Sequence, residues 1–521
     1  MCAGLRGTGR SFATAKSRVA GPRPTRLMEP AARGDAVRGF SHPQALRTWA
    51  LATRLLALAR RPKPLGLLAY RCCEYITDVL FRGVQVDGAV VDVRISLGRI
   101  SAIGHDLAAD SSSEVVAGEG GALIPGLHDH HLHLLATAAL ATSVVAGPPS
   151  ITSAEQLRLA LNSAPGEGWV RGVGYDESVA GELDRHGLDA LIDDRPVRVQ
   201  HRGGSLWILN SPALDCLGPG GPPDGRLWRR DVWLRERLAE GGVPSLTELG
   251  RRLASYGITG VTDATPSRAD GLDASVWQIP QRVHSLGDTT GTRLTAGARK
   301  LVLADHALPT YDEVVRAVRS AHEQGRPVAV HCVTRVSLLL LLAVLDDVGA
   351  LPGDRVEHAA IAPPEAVHEL ARLGVAVVTQ PSLVATSGDD YWTRVDPDDR
   401  RNLWRYRSFC AAGIAVACSS DAPYGELDPW ASIRAAHDRR TAHGRVLGPG
   451  ERVDALVALE GFLREPGNLG AGRKVAVGAT ADLILLDGPL GSVLSDPRAD
   501  RVRMTMIAGR TVHERNAGVG I

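Results

Sequence analysis

The stretch DRVEHAAIAPPEAVHELARLGVAVVTQPS (354–382) contains a strand-like run, a helical stretch and a second strand-like run. The same alternation occurs on both sides of it, in RPVAVHCVT (326–334) and in GIAVACSSDAP (413–423). Strands that alternate with helices at this spacing predict parallel βαβ units. Each of these strands ends in a polar cluster, and an α/β barrel carries its active site at that end of its strands.

The composition excludes several classes of protein. The 521 residues carry 59 Lys or Arg against 58 Asp or Glu, so the net charge of +1 predicts no nucleic-acid or membrane partner. The most apolar run, Val336 to Leu345, is about half the length of a bilayer span. Seven scattered cysteines predict no disulfide framework and a cytoplasmic location. We therefore expect a globular protein with a small-molecule substrate, and a homo-oligomer is compatible with this composition.

The chain divides into regions of different texture. Residues 1–75 contain 14 Lys or Arg among many Pro, Gly and Ala, which predicts a basic, disordered extension and leaves a transit-like tail as the alternative. Residues 76–123 and 466–521 hold short β-branched runs and predict one small β-sandwich domain built from both ends. The α/β region lies between them, at 124–465, with a long insertion at about 145–255.

The sharpest local motif is LIPGLHDHHLH (123–133). It spaces His131 and His133 two residues apart, and on a strand this spacing points both imidazoles to the same face. Two such imidazoles at a strand end can bind a divalent metal through neutral nitrogens. Asp129 and His130 are candidates for orienting the ligands. Because neighbours on a strand alternate faces, His130 is more simply interpreted as a packed or hydrogen-bonded histidine.

Further candidates lie on successive strand-like runs. Lys300, His331, His358 and Asp421 are separated by 31, 27 and 63 residues, which correspond to one, one and about two βα units. A single polar residue at a strand end is usually an ordinary capped group, but six in register favour a shared site. Lys300 is also one of only four lysines in the chain. A lysine can lose its proton and react as an amine, whereas an arginine stays charged.

These motifs resemble the amidohydrolase superfamily of metal-dependent hydrolases, and specifically its family 3 branch, which includes N-substituted formamide deformylases. RGVGYDE (171–177), GITGVTDA (257–264) and VAVGATADL (475–483) also match that branch. The resemblance covers about residues 77–515 and implies an α/β fold, a (β/α)8 TIM-like barrel with a β-sandwich. The family's metal ligands, on strands 1, 4, 5, 6 and 8, match His131, His133, Lys300, His331, His358 and Asp421.

The resemblance implies hydrolysis of a non-peptide C–N bond, in an amide or an N-acyl or N-formyl group, by water activated at one or two divalent metal ions, with zinc expected. His131 and His133 would hold the first ion together with Asp421. Lys300, N6-carboxylated to a carbamate, would bridge to a second ion that His331 and His358 complete. Asp421 would also be the catalytic group that takes a proton from the water and delivers it to the leaving nitrogen.

Four residues are predicted to contact substrate: Tyr175, Trp207, Asn210 and His306. The stretch HRGGSLWILNSPAL (201–214) departs from the branch, because Ser205 stands where the branch usually has a histidine. Other reactions stay open, namely hydrolysis of a cyclic amide, a lactone or another ester. Lys300 argues against deamination, since deaminase relatives generally lack it. A non-catalytic barrel scaffold is the remaining alternative, and six intact ligand positions argue against it.

Overall fold

The computed structural model describes residues 78–148, 150–238, 244–266, 271–288 and 292–515. The basic extension predicted at 1–75 lies outside the described residues. Within the described ranges, none of the helices combines the length and the apolar character that crossing a bilayer requires.

Strands occur near both ends of the described chain, in a group between residues 144 and 228, and in alternation with helices from residue 258 to 418. In chain order they are β1 (Val79–Val86), β2 (Ala89–Ser96), β3 (Arg99–Gly104), β4 (Glu114–Ala117), β5 (Leu123–Pro125), β6 (Leu127–Leu132), β7 (Val144–Val145), β8 (Val170–Tyr175), β9 (Val197–His201), β10 (Leu206–Leu209), β11 (Arg226–Trp228), β12 (Ile258–Asp263), β13 (Arg282–Ser285), β14 (Leu294–Ala296), β15 (Arg299–Val302), β16 (Val328–Cys332), β17 (Arg355–His358), β18 (Ala376–Thr379), β19 (Val416–Cys418), β20 (Arg464–Glu465), β21 (Asn468–Gly472), β22 (Leu483–Leu486), β23 (Val502–Ile507) and β24 (Arg510–Glu514).

The helices connect these strands. In chain order they are α1 (Leu134–Leu140), α2 (Ala154–Asn162), α3 (Glu177–Ala180), α4 (Arg185–Asp189), α5 (Ser211–Leu217), α6 (Asp231–Arg237), α7 (Thr247–Ser255), α8 (Leu272–Ser275), α9 (Tyr311–Glu323), α10 (Arg335–Val348), α11 (Pro364–Leu373), α12 (Ser382–Arg394), α13 (Tyr406–Ala411), α14 (Pro429–Asp438), α15 (Ala455–Phe462) and α16 (Leu490–Ser495). Short 3-10 turns occur at Val276–Gln278, Asp305–Ala307, Arg400–Asn402, Pro449–Glu451 and Ala499–Arg501.

The middle of the chain forms two parallel sheets. Their strand orders are β14-β13-β12-β6 and β15-β16-β17-β18-β19. The stretch 354–382 folds as β17, α11 and β18, so the predicted strand–helix–strand unit is confirmed. Backbone bonds connect the two sheets on both sides: Lys300 donates to Leu286 at 2.9 Å, and Asp421 donates to His131 at 2.8 Å. The carboxyl ends of the parallel strands are thereby brought around one region.

The two ends of the described chain share a separate core. The sheets β3-β2-β1-β4 and β24-β23-β22-β5 each have four strands. Phe81 and Ile95 of the first sheet pack in the same cluster as Leu483 and Met506 of the second. This shared core is what a β-sandwich built from both chain ends requires.

The insertion has its own sheet, with the order β11-β10-β9-β8-β7. Its core includes Leu157, Val170 and Val199. Helix α7, at the end of the range predicted for the insertion, instead contributes Leu249 and Leu253 to the main core around the parallel sheets.

Candidate metal centre and substrate cavity

All six predicted ligand positions lie in the wall of one cavity of about 1300 Å³. They come from β6, β15, β16 and β17, and from the segments that follow β6 and β19. The cavity therefore lies at the end of the parallel strands where the sequence pattern predicted an active site. The six residues are His131, His133, Lys300, His331, His358 and Asp421.

His131, His358 and Asp421 form the tightest group. One ligand atom of each residue lies within 4.8 Å of the other two, and all three residues are buried. His131 Nε2 is 3.4 Å from Asp421 Oδ1, and His358 Nδ1 is 3.9 Å from Asp421 Oδ2. Two imidazoles and a carboxylate are a donor set that suits a divalent transition metal.

The other three predicted ligands surround this group. His133 Nε2 lies 3.6 Å from Asp421 Oδ1. Lys300 Nζ lies 3.4 Å from His131 Nε2. The ring of His331 lies 4.6 Å from the ring of His358, measured between centroids. The fold therefore brings all six positions together around one point.

Burial sets the protonation of these groups. Desolvation lowers the pKa of His131 and of His358 well below the usual value, and it lowers the pKa of His331 to about 3. The imidazoles are therefore neutral near pH 7, which is the form that binds a metal. Desolvation also lowers the pKa of Lys300 to about 8, against the opposing charges of Glu357 and Asp421. A neutral amine, the form that reacts with carbon dioxide, is thereby accessible near neutral pH.

The orientation of His131 depends on a carboxylate that the sequence analysis missed. His131 Nδ1 pairs with Glu357 Oε2, and Glu357 Oε1 accepts a hydrogen bond of 2.6 Å from Arg355 Nε. Both carboxylate oxygens are therefore used, and His131 Nε2 is left for an ion. The sequence did contain a signal for this pair. The run RVEH places an Arg and a Glu two residues apart, next to a predicted ligand, and all four residues of this strand are buried.

His358 is oriented by an amide from the neighbouring strand. Gln380 Oε1 lies 2.9 Å from His358 Nδ1, and Gln380 Nε2 donates to Ser419 Oγ at 2.9 Å. Gln380 directly follows β18, which supplied no predicted ligand. This strand therefore contributes a positioning residue, and the second nitrogen of His358 stays available.

Two ligand positions have left-handed backbone. His358 has φ 73° and Asp421 has φ 55°. A non-glycine residue in this region costs of order 1 kcal/mol or more, and such residues cluster at functional sites. His358 is the last residue of β17, and Asp421 lies three residues after the end of β19.

Asp129 and His130 occupy different surroundings. Asp129 accepts hydrogen bonds of 3.1 Å from the backbone of His131 and of Ser420, so it ties β6 to the segment that carries Asp421. Burial raises the pKa of Asp129 to about 7. His130 is fully buried, and neither of its ring nitrogens has a hydrogen-bond partner among the described residues.

Strand β6 contains a bulge, so its side chains do not alternate faces in the regular way that the prediction for His130 assumed. Val261 pairs with Asp129, whereas Asp263 pairs with Leu132, so β6 holds one extra residue over that interval. Such a bulge re-aims side chains. The ring of His130 packs 4.6 Å from that of His128, so His130 is a packed histidine without a side-chain hydrogen bond.

The structure brings one of the four predicted substrate contacts to the cavity. Trp207 lines its wall, as does Ser205. Tyr175 is buried in the insertion and donates to Gly181 O at 2.6 Å. Asn210 is buried and caps α5 by accepting from the backbone of Ala213. Both side chains have partners that the fold of the insertion provides.

His306 lies on an exposed 3-10 turn, with its ring 5.9 Å from the ring of Trp228. It is not among the described residues that line the cavity, and neither are Tyr175 and Asn210. His306 was predicted from its position after a strand, Tyr175 from its place in the long segment after the first strand, and Asn210 from its match to the branch motif. None of these signals shows which partners a side chain finds within its own loop.

The chain is similar to known proteins over most of its length. It is 24% identical over 489 residues to the putative amidohydrolase YtcJ of Bacillus subtilis (strain 168), which covers 78% of this chain and 91% of that relative. It is 26% identical over 515 residues to the N-substituted formamide deformylase of Arthrobacter pascens, covering 81% and 95%.

A solved structure matches the fold. An uncharacterized metal-dependent hydrolase from Pyrococcus horikoshii OT3 superposes with a TM-score of 0.64 at 20% identity, over 79% of this chain and 97% of that one. The family model described as "Amidohydrolase family" matches residues 114–513. Because that match spans most of the sequence, the resemblance in the motifs is confirmed, and this chain belongs to the amidohydrolase family.

Proposed function

We propose that this protein is a metal-dependent hydrolase that cleaves a C–N bond other than a peptide bond, in an amide or an N-acyl or N-formyl group. The observation that carries the proposal is the buried group of His131, His358 and Asp421, with Lys300 beside it, in the wall of a large cavity. Similarity to a formamide deformylase supports the choice of bond. The backbone bonds between the two parallel sheets support a closed (β/α)8 barrel.

The donor set fits one or two divalent ions. His131, His133 and Asp421 would hold the first ion, and Lys300 as a carbamate would bridge to a second ion held by His331 and His358. Zinc is the first metal to test, because imidazole and carboxylate ligands suit it. A divalent ion at this position supplies Lewis acidity toward a carbonyl oxygen and lowers the pKa of water toward 7.

The chain's own residues then control orientation and protons. Glu357, held by Arg355, fixes the ring of His131, and Gln380 fixes the ring of His358. Asp421 takes a proton from the attacking water and delivers it to the leaving nitrogen, so that an amide and water become a carboxylic acid and an amine. Its carboxylate lies in the cavity wall within 3.6 Å of the nearest nitrogens of His131 and His133.

The experiment is reconstitution with zinc or manganese, followed by elemental analysis and a screen of N-formyl, N-acyl, cyclic amide, lactone and ester substrates. We expect metal-dependent release of an amine from a linear amide, abolished by a chelator and restored by metal. Protein that binds no metal contradicts the proposal, as does metal-loaded protein that hydrolyses only esters or lactones.

We also propose a cytoplasmic location. Cys216, Cys332, Cys410 and Cys418 are free, which supports a reducing compartment. A homo-oligomer stays a prediction, to be measured by light scattering.

A further inference from the structure

Two arginines lie side by side in the wall of the cavity. Arg171 on β8 is the direct cross-strand partner of Arg198 on the parallel strand β9. Both residues are partly buried and line the cavity. Directly paired residues of neighbouring strands project from the same face, and like charges at such positions are unfavourable.

An indole ring packs against both cations. The guanidinium carbons of Arg171 and Arg198 lie 5.4 and 5.3 Å from the ring centroid of Trp207. The indole Nε1 donates to Asp231 Oδ1 at 2.8 Å. Cation–π contacts of this kind stabilise a cation by of order 1 kcal/mol, and they hold both guanidinium groups beside one aromatic surface.

The part of the chain that the structure describes gives these two arginines no acidic partner. Among the described residues, no carboxylate lies within ion-pair distance of either guanidinium, and Arg198 Nε is buried without a hydrogen-bond acceptor. Within the described ranges, the guanidinium of Arg171 donates to Ser143 Oγ alone, at 2.6 Å. Desolvation, followed by the charge of Arg171, lowers the pKa of Arg198 to about 10. A partly buried pair of like charges is costly unless an anion completes it.

Other arginines of the same cavity do not share this situation. Arg202 pairs with Asp176 at 2.8 Å and with Asp390, and Arg394 pairs with Asp176 at 3.4 Å. Arg229 and Arg235 are exposed to solvent, where a guanidinium needs no protein partner. The unbalanced and desolvated positive charge is therefore specific to the pair on β8 and β9.

Tyr424 lines the same cavity as this pair and the candidate metal centre. Its ring is 5.6 Å from the ring of His133. Its hydroxyl group occupies space beside Gly204, where an added Cβ would come within 2.3 Å of it. A substrate in this cavity can thus reach the metal centre while a second group contacts the strands of the insertion.

We propose that Arg171 and Arg198 form a subsite for a carboxylate, or a comparable oxyanion, on the substrate, so that this enzyme acts on anionic amides. The inference rests on the proposed function. Guanidinium groups bind planar carboxylates through two parallel hydrogen bonds. A bound oxyanion would remove the repulsion between the paired cations.

The kinetic test uses a matched pair of substrates, N-formylphenylalanine and N-formylphenylalaninamide, with zinc-loaded protein. We expect Arg171→Gln and Arg198→Gln to lower kcat/KM for the acid by about 10- to 100-fold, the scale of a charged hydrogen bond. The amide, which reports on folding and on the metal centre, should change little. Arg198→Lys keeps the positive charge but lacks the paired donors of a guanidinium group, so its kcat/KM for the acid should lie between those of the wild type and of Arg198→Gln. Arg251→Gln, on an exposed ion pair with Glu248, is the matched control.

A binding test separates this inference from the proposed function. The affinity of 3-phenylpropanoate and of 3-phenylpropanamide is measured by calorimetry on wild-type protein and on both glutamine variants, and 2-phenylethanesulfonate distinguishes other oxyanions from carboxylates. If no amide is hydrolysed but the affinity for either anion falls in the variants, the subsite stands and the proposed function fails. If the ratio of kcat/KM for the acid to kcat/KM for the amide is unchanged in the variants, and so are both anion affinities, the subsite is overturned. This holds whether or not amides are cleaved.

Discussion

Histidines cluster at both ends of the parallel strands, but among the described residues only one cluster has the geometry of a metal site. The metal centre lies at the carboxyl ends. In the amino-terminal cluster (His128, His130 and His284), the ring centroid of His128 lies 4.6 Å from that of His130 and 5.5 Å from that of His284. His128 and His284 border a second cavity of about 650 Å³. Within the described residues, only the group of His131, His358 and Asp421 brings three ligand atoms of this kind within 4.8 Å.

The difference lies in the partners of the rings. At the metal centre, Glu357 and Gln380 orient two imidazoles and Asp421 faces them. In the amino-terminal cluster, His128 contacts the hydroxyl of Thr262 at 2.9 Å, and the charges that act most on His284 are arginines. Burial alone makes a histidine neutral. A carboxylate opposite the ring, and a hydrogen bond on its far nitrogen, are what prepare it as a ligand.

The largest effect is expected from Asp421→Asn. An amide cannot exchange the proton as a carboxylate does, so we expect kcat to fall by about 10³-fold or more. His284→Asn in the amino-terminal cluster should leave kcat within about twofold, since no described ligand group includes it. Steady-state kinetics of zinc-loaded protein measures both. If kcat fell equally in the two variants, the two clusters would not differ in their importance for catalysis.

Lys300→Arg should have the next largest effect. The side chain keeps its charge but cannot form a carbamate, so the number of ions per chain should fall. We expect kcat/KM to drop by about 100-fold, equivalent to about 2.7 kcal/mol of lost transition-state stabilisation. Lys474, which borders the second cavity, offers the matched control Lys474→Arg. Metal content from mass spectrometry and activity are measured together. An unimpaired Lys300→Arg variant with full metal content would rule out the bridging role.

The contrast between the two clusters was only partly predictable from sequence. The strand-end spacing of Lys300, His331, His358 and Asp421 predicted that these residues meet in one site, because one βα unit has a nearly fixed length, and all four line the same cavity. The partner of His131 was missed because Glu357 is 226 residues away, and only the arrangement of the strands brings the two together. The bulge in β6 was also invisible, since no glycine or proline marks it.

Glu357→Gln tests the orienting bond. A neutral amide holds the imidazole of His131 less firmly and leaves Arg355 without its counter-charge. We expect zinc affinity to fall by about 10- to 100-fold, as for other changes of a ligand's hydrogen-bond partner. Glu451→Gln is the control, because Glu451 is also buried but pairs with Arg405 outside the cavity lining. Competition with a chromophoric chelator measures the affinity, and identical values for the two variants would show that Glu357 serves stability alone.

The smallest effect concerns the pH dependence of stability at the amino-terminal cluster. Desolvation lowers the pKa of His284 to about 4 in the folded protein, with Arg355 and Arg282 acting in the same direction. The unfolded chain, with a histidine pKa near 6.5, therefore binds more protons between these values, and the free energy of unfolding falls as the pH drops from about 6.5 toward 4. His284 changes the free energy of unfolding by at most about 1 kcal/mol per pH unit, because its side chain is not completely buried.

His284→Asn should therefore reduce the slope of unfolding free energy against pH over this interval, measured by urea denaturation of metal-free protein at pH 6.5, 5.5 and 4.5. His186→Asn, which replaces a histidine whose side chain is 79% exposed, should leave the slope unchanged. If both variants keep the wild-type slope, His284 takes up its proton in the folded protein over the same pH interval as in the unfolded chain. The amino-terminal cluster would then differ from the metal centre in charge as well as in its partners.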